Sequence, residues 1–147
     1  MQSLDKRIVE FIQAHHVLAL ATCDDNVPYC SNMFYVFLEE KNVFVFTSEE
    51  KTRHIHEVIN NNKVAGSIAL ETETIGLIRG LQFQGIMYKP DATLKRKATI
   101  AYLKRFPYAI LKGAAVWMIE LRYAKFTDNR LGFGKKLYWQ KEKIETI

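Results

Sequence analysis

Apolar residues recur along the chain at two spacings, which predict a β-sheet accompanied by a few helices. Apolar positions at helical spacing predict amphipathic helices over 3–14, with Ser3 as a candidate N-cap, and from 90 to about 106. Short apolar runs between polar turns predict strands over 17–22, 29–38, 43–46, 64–70, 75–89, 114–126 and 137–140. The pattern predicts a mainly β (α+β) fold, an antiparallel barrel of six to seven strands with two to three peripheral helices.

The stretch 44–59 is predicted to be a strand that runs directly into a helix. Thr47 and Glu50 have the spacing of a capping box, and Ser48 is a second candidate N-cap. A helix that starts here would offer unpaired N–H groups and the positive end of its dipole, and Lys51 would lie in its first turn. From these residues alone, the stretch is either a capped surface helix or a phosphate site.

Length and composition indicate a single domain of an ordinary globular class. The chain has 147 residues, of which 48% are apolar and 25% charged. No apolar run approaches the roughly 20 residues of a membrane span. The charged N-terminus does not resemble a signal peptide, so we expect a cytoplasmic protein. Cys23 and Cys30 are then expected to be reduced thiols, although they flank a predicted hairpin turn and a cross-strand disulfide is an alternative.

Charge is distributed unevenly along the chain. Residues 1–78 carry a net charge of −5, and residues 79–147 carry +10. Such asymmetry is compatible with nucleic acid, with an anionic ligand, with opposed faces that pair in a dimer, or with a solvated basic face. The basic cluster 95–97 lies largely off the apolar face of its predicted helix. Because the chain lacks an aromatic RNA-binding signature and a helix-turn-helix, nucleic acid is the least favoured partner.

Several kinds of chemistry lack their motifs. The chain has no GxGxxG after a strand, no Walker-type loop, no GxSxG elbow, no CxxC and no HExxH. His54 and His56 would lie about 200° apart around a helix and could not share a metal ion, so we expect no metal site. The remaining features are the candidate anion site at 47–51, a strand interrupted by glycines (Gly76, Gly80 and Gly85), and a basic glycine loop at 131–136.

The order of these features carries a family resemblance. An N-terminal helix is followed by VLALAT, a turn, Pro28, a long strand, and a short strand that ends in Phe46 and Thr47, with Ser48 and Lys51 next. This order resembles the FMN-binding split β-barrel superfamily related to pyridoxamine 5′-phosphate oxidase, over most of the chain. The later segments EEKTRH, IRGLQFQG, RFP, VW and KFTDNRLGFGKKLYW resemble a narrower group, the uncharacterised YhbP-like bacterial proteins.

The resemblance implies a single FMN-binding domain over 1–147 and a homodimer with two FMN sites, each built from both subunits. By position, it implies that one subunit holds the flavin through Ser31, Asn32, Met33, Phe46, Thr47, Ser48 and Lys51, with Arg53 as a further cation. Gly80 and Gln82 would lie beside the flavin ring. The partner subunit would contribute residues equivalent to Thr127, Asn129 and Lys135.

The departures from the family pattern bear on activity. Glu50 stands where the oxidases have a basic residue, apolar Val36 and Phe37 stand where they have a substrate lysine, and LGFGKK replaces their Arg-x-His motif. We therefore expect an FMN-dependent oxidoreductase or reductase of unknown substrate, with NAD(P)H or a small molecule as partner, and not a true pyridoxamine phosphate oxidase. The alternative is a non-catalytic carrier or sensor of FMN or haem. The haem ligand would then be one of His15, His16, His54 and His56.

Overall fold

The structure, a computed structural model, describes residues 3–112 and 114–141. Its helices are α1 (Lys6–Ala14), α2 (Arg53–Asn60) and α3 (Ala92–Arg105). Its strands are β1 (Val17–Asp24), β2 (Val27–Phe34), β3 (Val36–Leu38), β4 (Val43–Ser48), β5 (Lys63–Ala69), β6 (Arg79–Tyr88), β7 (Ala115–Asp128) and β8 (Lys136–Gln140). No helix within these described ranges is long and apolar enough to cross a membrane.

The strands form one antiparallel sheet whose two ends meet. Seven strands follow the order β2-β1-β5-β6-β7-β4-β3, and β8 pairs with the second half of β7. Only Tyr35 separates β2 from β3 in the chain, so the sheet must curl until its end strands approach each other. The Tyr35 amide donates to His16 O at 3.0 Å, and its hydroxyl donates to Ile12 O at 2.6 Å. The predicted antiparallel split barrel is confirmed, but the predicted strand 29–38 is divided at Tyr35.

Apolar side chains on the concave face fill the barrel. Leu20, Phe83 and Ala124 project inward from β1, β6 and β7, and all three are buried. Gly66 lies between them, and only glycine fits there, because a Cβ would stand 2.3 Å from the Phe83 ring. The pairing of β6 with β7 shifts register between Gln84 and Gly85, which is the irregularity of a β-bulge.

The helices cover the edges of the barrel. Phe11 of α1 packs on Phe126, with 5.0 Å between ring centroids, and α3 packs on the sheet through Ala98 and Tyr102.

Two predicted details are wrong. First, α1 begins at Lys6 with Asp5 as N-cap, because the Asp5 carboxylate accepts the Arg7 amide. Second, the run 75–89 is not one strand, since Ile75–Leu77 form a 3-10 helix before β6.

Candidate functional site

The predicted phosphate site lies between β4 and α2, in residues 48–53, which we call the β4–α2 junction. The predicted helix start at Thr47 or Ser48 is wrong: both residues belong to β4, where they pair with Val116 and Ala115 of β7. Pairing with β7 holds their backbone extended, so the capping-box spacing has no effect there. The helix starts at Arg53, with Thr52 at the N-cap position, and Lys51 therefore precedes the helix.

A triangle of polar side chains closes the junction. Ser48 Oγ lies 2.7 Å from His54 Nε2 and 3.3 Å from Thr52 Oγ1, and both Ser48 and His54 are buried. The Thr52 hydroxyl donates back to Glu49 O at 2.9 Å, so it does not cap α2. The first-turn N–H groups of α2 therefore have no side-chain cap. Burial lowers the pKa of His54, although the nearby Glu57 carboxylate opposes the shift, so we treat its imidazole as neutral at neutral pH.

A second polar group anchors α2 beneath the sheet. The Glu57 carboxylate, only 8% exposed, accepts the Thr22 hydroxyl at 2.9 Å and faces Arg53 Nε at 3.4 Å. The Arg53 guanidinium carbon lies 4.2 Å from the centroid of the Tyr29 ring. Arg53 is thus held by a carboxylate and an aromatic face at once, which leaves its remaining N–H donors in a defined position. Glu57 and Tyr29 were not predicted, because the contacts join three separate elements.

Every cation of the junction has a glutamate partner. Lys51, 86% exposed, lies 3.4 Å from Glu49, and Arg53 is paired with Glu57. Lys89, which follows β6, donates to the Glu50 carboxylate and lies 5.3 Å from the centroid of the Trp117 ring. These three ion pairs give the junction no net charge. Sequence reasoning missed Lys89, because only the pairing of β4 and β6 with the same strand, β7, brings it to Glu50.

The predicted β2 residues face different ways. Ser31 pairs with Leu20, and its buried hydroxyl has no hydrogen-bond partner among the described residues. Met33 is buried in the core and Asn32 is exposed on the other face. Phe46 is fully buried, so its side chain belongs to the core.

The remaining predicted residues lie at the opposite end of the barrel. Gly80 pairs with Thr127 there, and Gln82, two residues along β6, is exposed on the outer face. Ser48 of the junction pairs with Ala115 at the start of β7, whereas Thr127 lies twelve residues further along the same strand. The structure therefore does not bring these residues to the junction within one chain.

Asn129 organises this end, in the segments 75–78 and 129–135, which we call the Asn129 loops. Its amide nitrogen donates to Ile75 O at 2.8 Å, and its amide oxygen accepts the Gly134 N–H at 3.1 Å. Gly134 has φ +68°, a conformation that favours glycine. Lys135 is exposed in the same loop, as are the apolar side chains of Ile75, Leu77, Leu131 and Phe133. Thr127 and Asp128, which follow the predicted strand 114–126, still belong to β7.

Two of the cavities outside the junction lie beside candidate ligand side chains. One, of about 390 Å³, is lined by Phe34, Tyr102, Arg105, Phe106, Pro107, Tyr108 and Ala109. His16 stacks on Phe34 with 6.0 Å between ring centroids. The other, of about 530 Å³, lies on the outer face of β1, β5 and β6 beside Cys23. Cys23 pairs with Pro28 rather than Cys30, and both thiols are free, so the alternative of a disulfide is not realised.

Solved structures share this architecture at low sequence identity. A haem-binding protein from Mycobacterium smegmatis superposes with a TM-score of 0.73 at 16% identity, over 89% of this chain and 56% of that one. An FAD-binding protein from Mesorhizobium loti superposes with a TM-score of 0.67 at 16% identity, over 85% of this chain and 95% of that one. At these identities the likeness extends to the fold alone.

Sequence comparison is more specific. A UPF0306 protein from Citrobacter koseri is 38% identical over 140 residues, which cover 95% of this chain and 96% of that protein. The UPF0306 protein YhbP of Escherichia coli O127:H6 is 39% identical over 134 residues, or 91% and 96% of the two chains. The family model described as pyridoxamine 5′-phosphate oxidase matches residues 4–88, more than half of the chain. The chain therefore belongs to the pyridoxamine 5′-phosphate oxidase family and, within it, to the UPF0306 (YhbP) group.

Proposed function

We propose that this protein binds FMN in a homodimer and acts as a flavin-dependent oxidoreductase of unknown substrate. The observation that carries the proposal is the start of α2, whose first-turn N–H groups have no side-chain cap. Ser48, Lys51 and Arg53 surround this helix start and offer a hydroxyl and two cations. Such a combination suits the terminal phosphate of FMN, because helix N-termini and charge-assisted hydrogen bonds both favour anions.

The β2 strand supports the position of the remaining flavin. A buried hydroxyl without a partner, as at Ser31, is costly unless a ligand completes its hydrogen bonding. In this proposal Ser31 and Asn32 receive polar groups of the flavin, and Thr47 and Ser48 donate to phosphate oxygens. FMN supplies the redox chemistry when bound, and the protein binds and orients it. Arg53, held by Glu57 and Tyr29, fixes the phosphate in one place.

The distance of five predicted residues from the junction supports a second subunit in this proposal. Gly80, Gln82, Thr127, Asn129 and Lys135 lie at the opposite end of the same barrel from the β4–α2 junction, so one chain holds two half-sites. A second copy would bring its Asn129 loops to the junction of the first. The exposed apolar side chains around these loops, Phe133 among them at 89% exposure, are typical of a surface that a partner covers.

The apolar Val36 and Phe37 argue against pyridoxamine phosphate as substrate. Phe37 is buried and Val36 half-buried, so neither provides a cation for a second phosphate. We therefore propose NAD(P)H, in place of pyridoxamine phosphate, as the electron donor to the flavin.

An absorbance spectrum of freshly purified protein tests the proposal. We expect flavin bands that bleach when NADPH is added without oxygen, and a mass of twice 17.1 kDa by light scattering. Colourless protein that fails to quench the fluorescence of added FMN contradicts FMN binding. Flavin that NADPH leaves oxidised indicates a carrier, and a monomer contradicts the shared site.

A second candidate function is haem binding without turnover. It is favoured by exposed His16, which stacks on Phe34 at the edge of the 390 Å³ cavity, and this cavity also contains Arg105. An imidazole and a guanidinium suit haem iron and a propionate. His15 and His54 instead have hydrogen-bond partners, Phe11 O and Ser48. Haem titration should then give a Soret band that His16→Ala removes, with FMN binding unchanged.

A further inference from the structure

Lys89 and Glu50 form a contact that the proposed FMN site does not use. Lys89 follows the last residue of β6, and Glu50 follows β4 by two residues. The Lys89 ammonium donates to the Glu50 carboxylate, and this contact holds the pKa of Glu50 below its ordinary value. The same ammonium lies 5.3 Å from the Trp117 ring centroid. The pair therefore links the end of β6 to the segment that contains the predicted phosphate ligands.

The Lys89–Glu50 ion pair is weak enough to exchange partners. Lys89 is 50% exposed and Glu50 65% exposed, so water screens their attraction and little free energy holds them together. The Arg53–Glu57 pair differs, because Glu57 is buried and also accepts the Thr22 hydroxyl. An incoming anion can therefore displace Glu50 from Lys89 more easily than Glu57 from Arg53.

Because the junction carries no net charge, the release of Glu50 matters for the binding of a phosphate. Together with Glu57 and Lys89, the junction has three cations and three carboxylates in pairs, and a phosphate monoester adds nearly two negative charges at neutral pH. If every pair persisted, the ligand would add uncompensated negative charge to a neutral site. Release of Glu50 toward solvent leaves the Lys89 cation for the phosphate.

We propose that Lys89 is a further phosphate-binding residue of this site and that Glu50 is an internal competitor, which occupies Lys89 until a phosphate-bearing ligand replaces it. This inference rests on the proposed function. It assigns the chain a preference for ligands that carry an anionic group such as phosphate, since an anion is needed to displace the glutamate. The uncharged flavin, riboflavin, gains nothing from the exchange.

Glu50→Gln tests the competition. We expect FMN to bind about two- to fivefold more tightly to this variant, with riboflavin affinity unchanged. Glu10→Gln on α1 is the matched control, because Glu10 is also 65% exposed and pairs with a lysine, Lys6, at 4.0 Å. The control should leave both affinities unchanged. Equal affinities in Glu50→Gln and Glu10→Gln would overturn the proposal.

A double-substitution cycle separates ligand binding by Lys89 from mere neutralisation of Glu50. If Lys89 contacts the phosphate, Lys89→Gln weakens FMN binding in the Glu50→Gln background at least as much as in the native chain. If Lys89 only neutralises Glu50, Lys89→Gln has no effect once Glu50 has been replaced. That second result would contradict the proposal.

The fluorescence emission of Trp117 reports on the exchange at Lys89 without any flavin. In a Trp139→Phe background, Trp117 is the one remaining tryptophan. Inorganic pyrophosphate should change its emission in a saturable way as Lys89 leaves the ring, and Lys89→Gln should abolish the change. If the native chain binds FMN but pyrophosphate leaves Trp117 emission unchanged, the exchange is wrong while the proposed function stands. If neither FMN nor pyrophosphate binds, both proposals fail.

Discussion

The two ends of the barrel present their candidate residues by different means. At the β4–α2 junction, side chains from four elements hold one another through buried polar contacts, such as Ser48 with His54 and Thr22 with Glu57. In the Asn129 loops, one amide side chain holds two backbone groups, and the apolar side chains around it are exposed. The junction is thus organised by its own buried contacts, whereas the loops have an exposed apolar surface. Substitutions should affect the two ends differently.

The largest effect, a loss of stability, is expected from a substitution in β4, the strand that leads into the junction. Phe46→Ala should lower the free energy of unfolding by about 3–5 kcal/mol, because Phe46 is fully buried and its loss leaves a cavity. Urea unfolding measures the change, and Phe46→Leu should cost less than half as much. A variant that unfolds like the native chain but loses FMN would instead make the Phe46 side chain a ligand.

A smaller and local loss of stability is expected from a substitution in the Asn129 loops. Asn129→Ala removes the contacts to Ile75 O and Gly134 N, which together are worth about 2 kcal/mol. Because both contacts tie loops, hydrogen exchange in 75–78 and 129–135 should accelerate while β1 and β5 keep their protection. Asn129→Asp, which retains the acceptor for Gly134, should lose only part of the protection. Uniform acceleration over all strands would show that the loops are not an independent unit.

The two junction cations should differ in their effect on FMN affinity. The sequence predicted Lys51 in the first turn of α2, but the helix begins at Arg53. Arg53 is oriented by Glu57 and Tyr29, so Arg53→Ala should weaken FMN about tenfold, and the exposed Lys51→Ala about threefold. Isothermal titration measures both, with riboflavin as the ligand that should not respond. A larger loss for Lys51→Ala would reverse the assignment.

The smallest effect is expected in the pH dependence of stability, through the buried polar triangle of Ser48, Thr52 and His54. Burial lowers the folded pKa of His54 below its ordinary value of 6.5, so the unfolded chain binds the proton first. The stability from neutral His54 is therefore complete above pH 6.5 and is lost as pH falls from there toward the folded pKa. Urea unfolding at pH 7.5 and pH 5.5 should show a smaller difference for His54→Gln than for the native chain. Equal pH dependence in both would remove His54 as the cause.

Much of the fold could be predicted because local patterns and the sheet agree. The apolar run 17–22, the turn at Asp25 and Asn26, and the helical spacing of α3 each specify one conformation, and the structure adopts it. The start of α2 could not be predicted in this way. Thr47 and Glu50 satisfy the spacing of a capping box, but pairing with β7 determines the backbone at Thr47 and Ser48. Long-range hydrogen bonding in a sheet outweighs a local capping preference when the two conflict.

By itself, the sequence determined the family and the antiparallel barrel. These depend on residue order and on spacing over a few positions, which are written directly in the chain. Tertiary structure alone decided that Glu57 holds Arg53, that Lys89 reaches Glu50, and that Asn129 lies at the opposite end from Lys51. These contacts depend on strand order and register, which bring residues distant in the chain together and determine where each charge finds its partner.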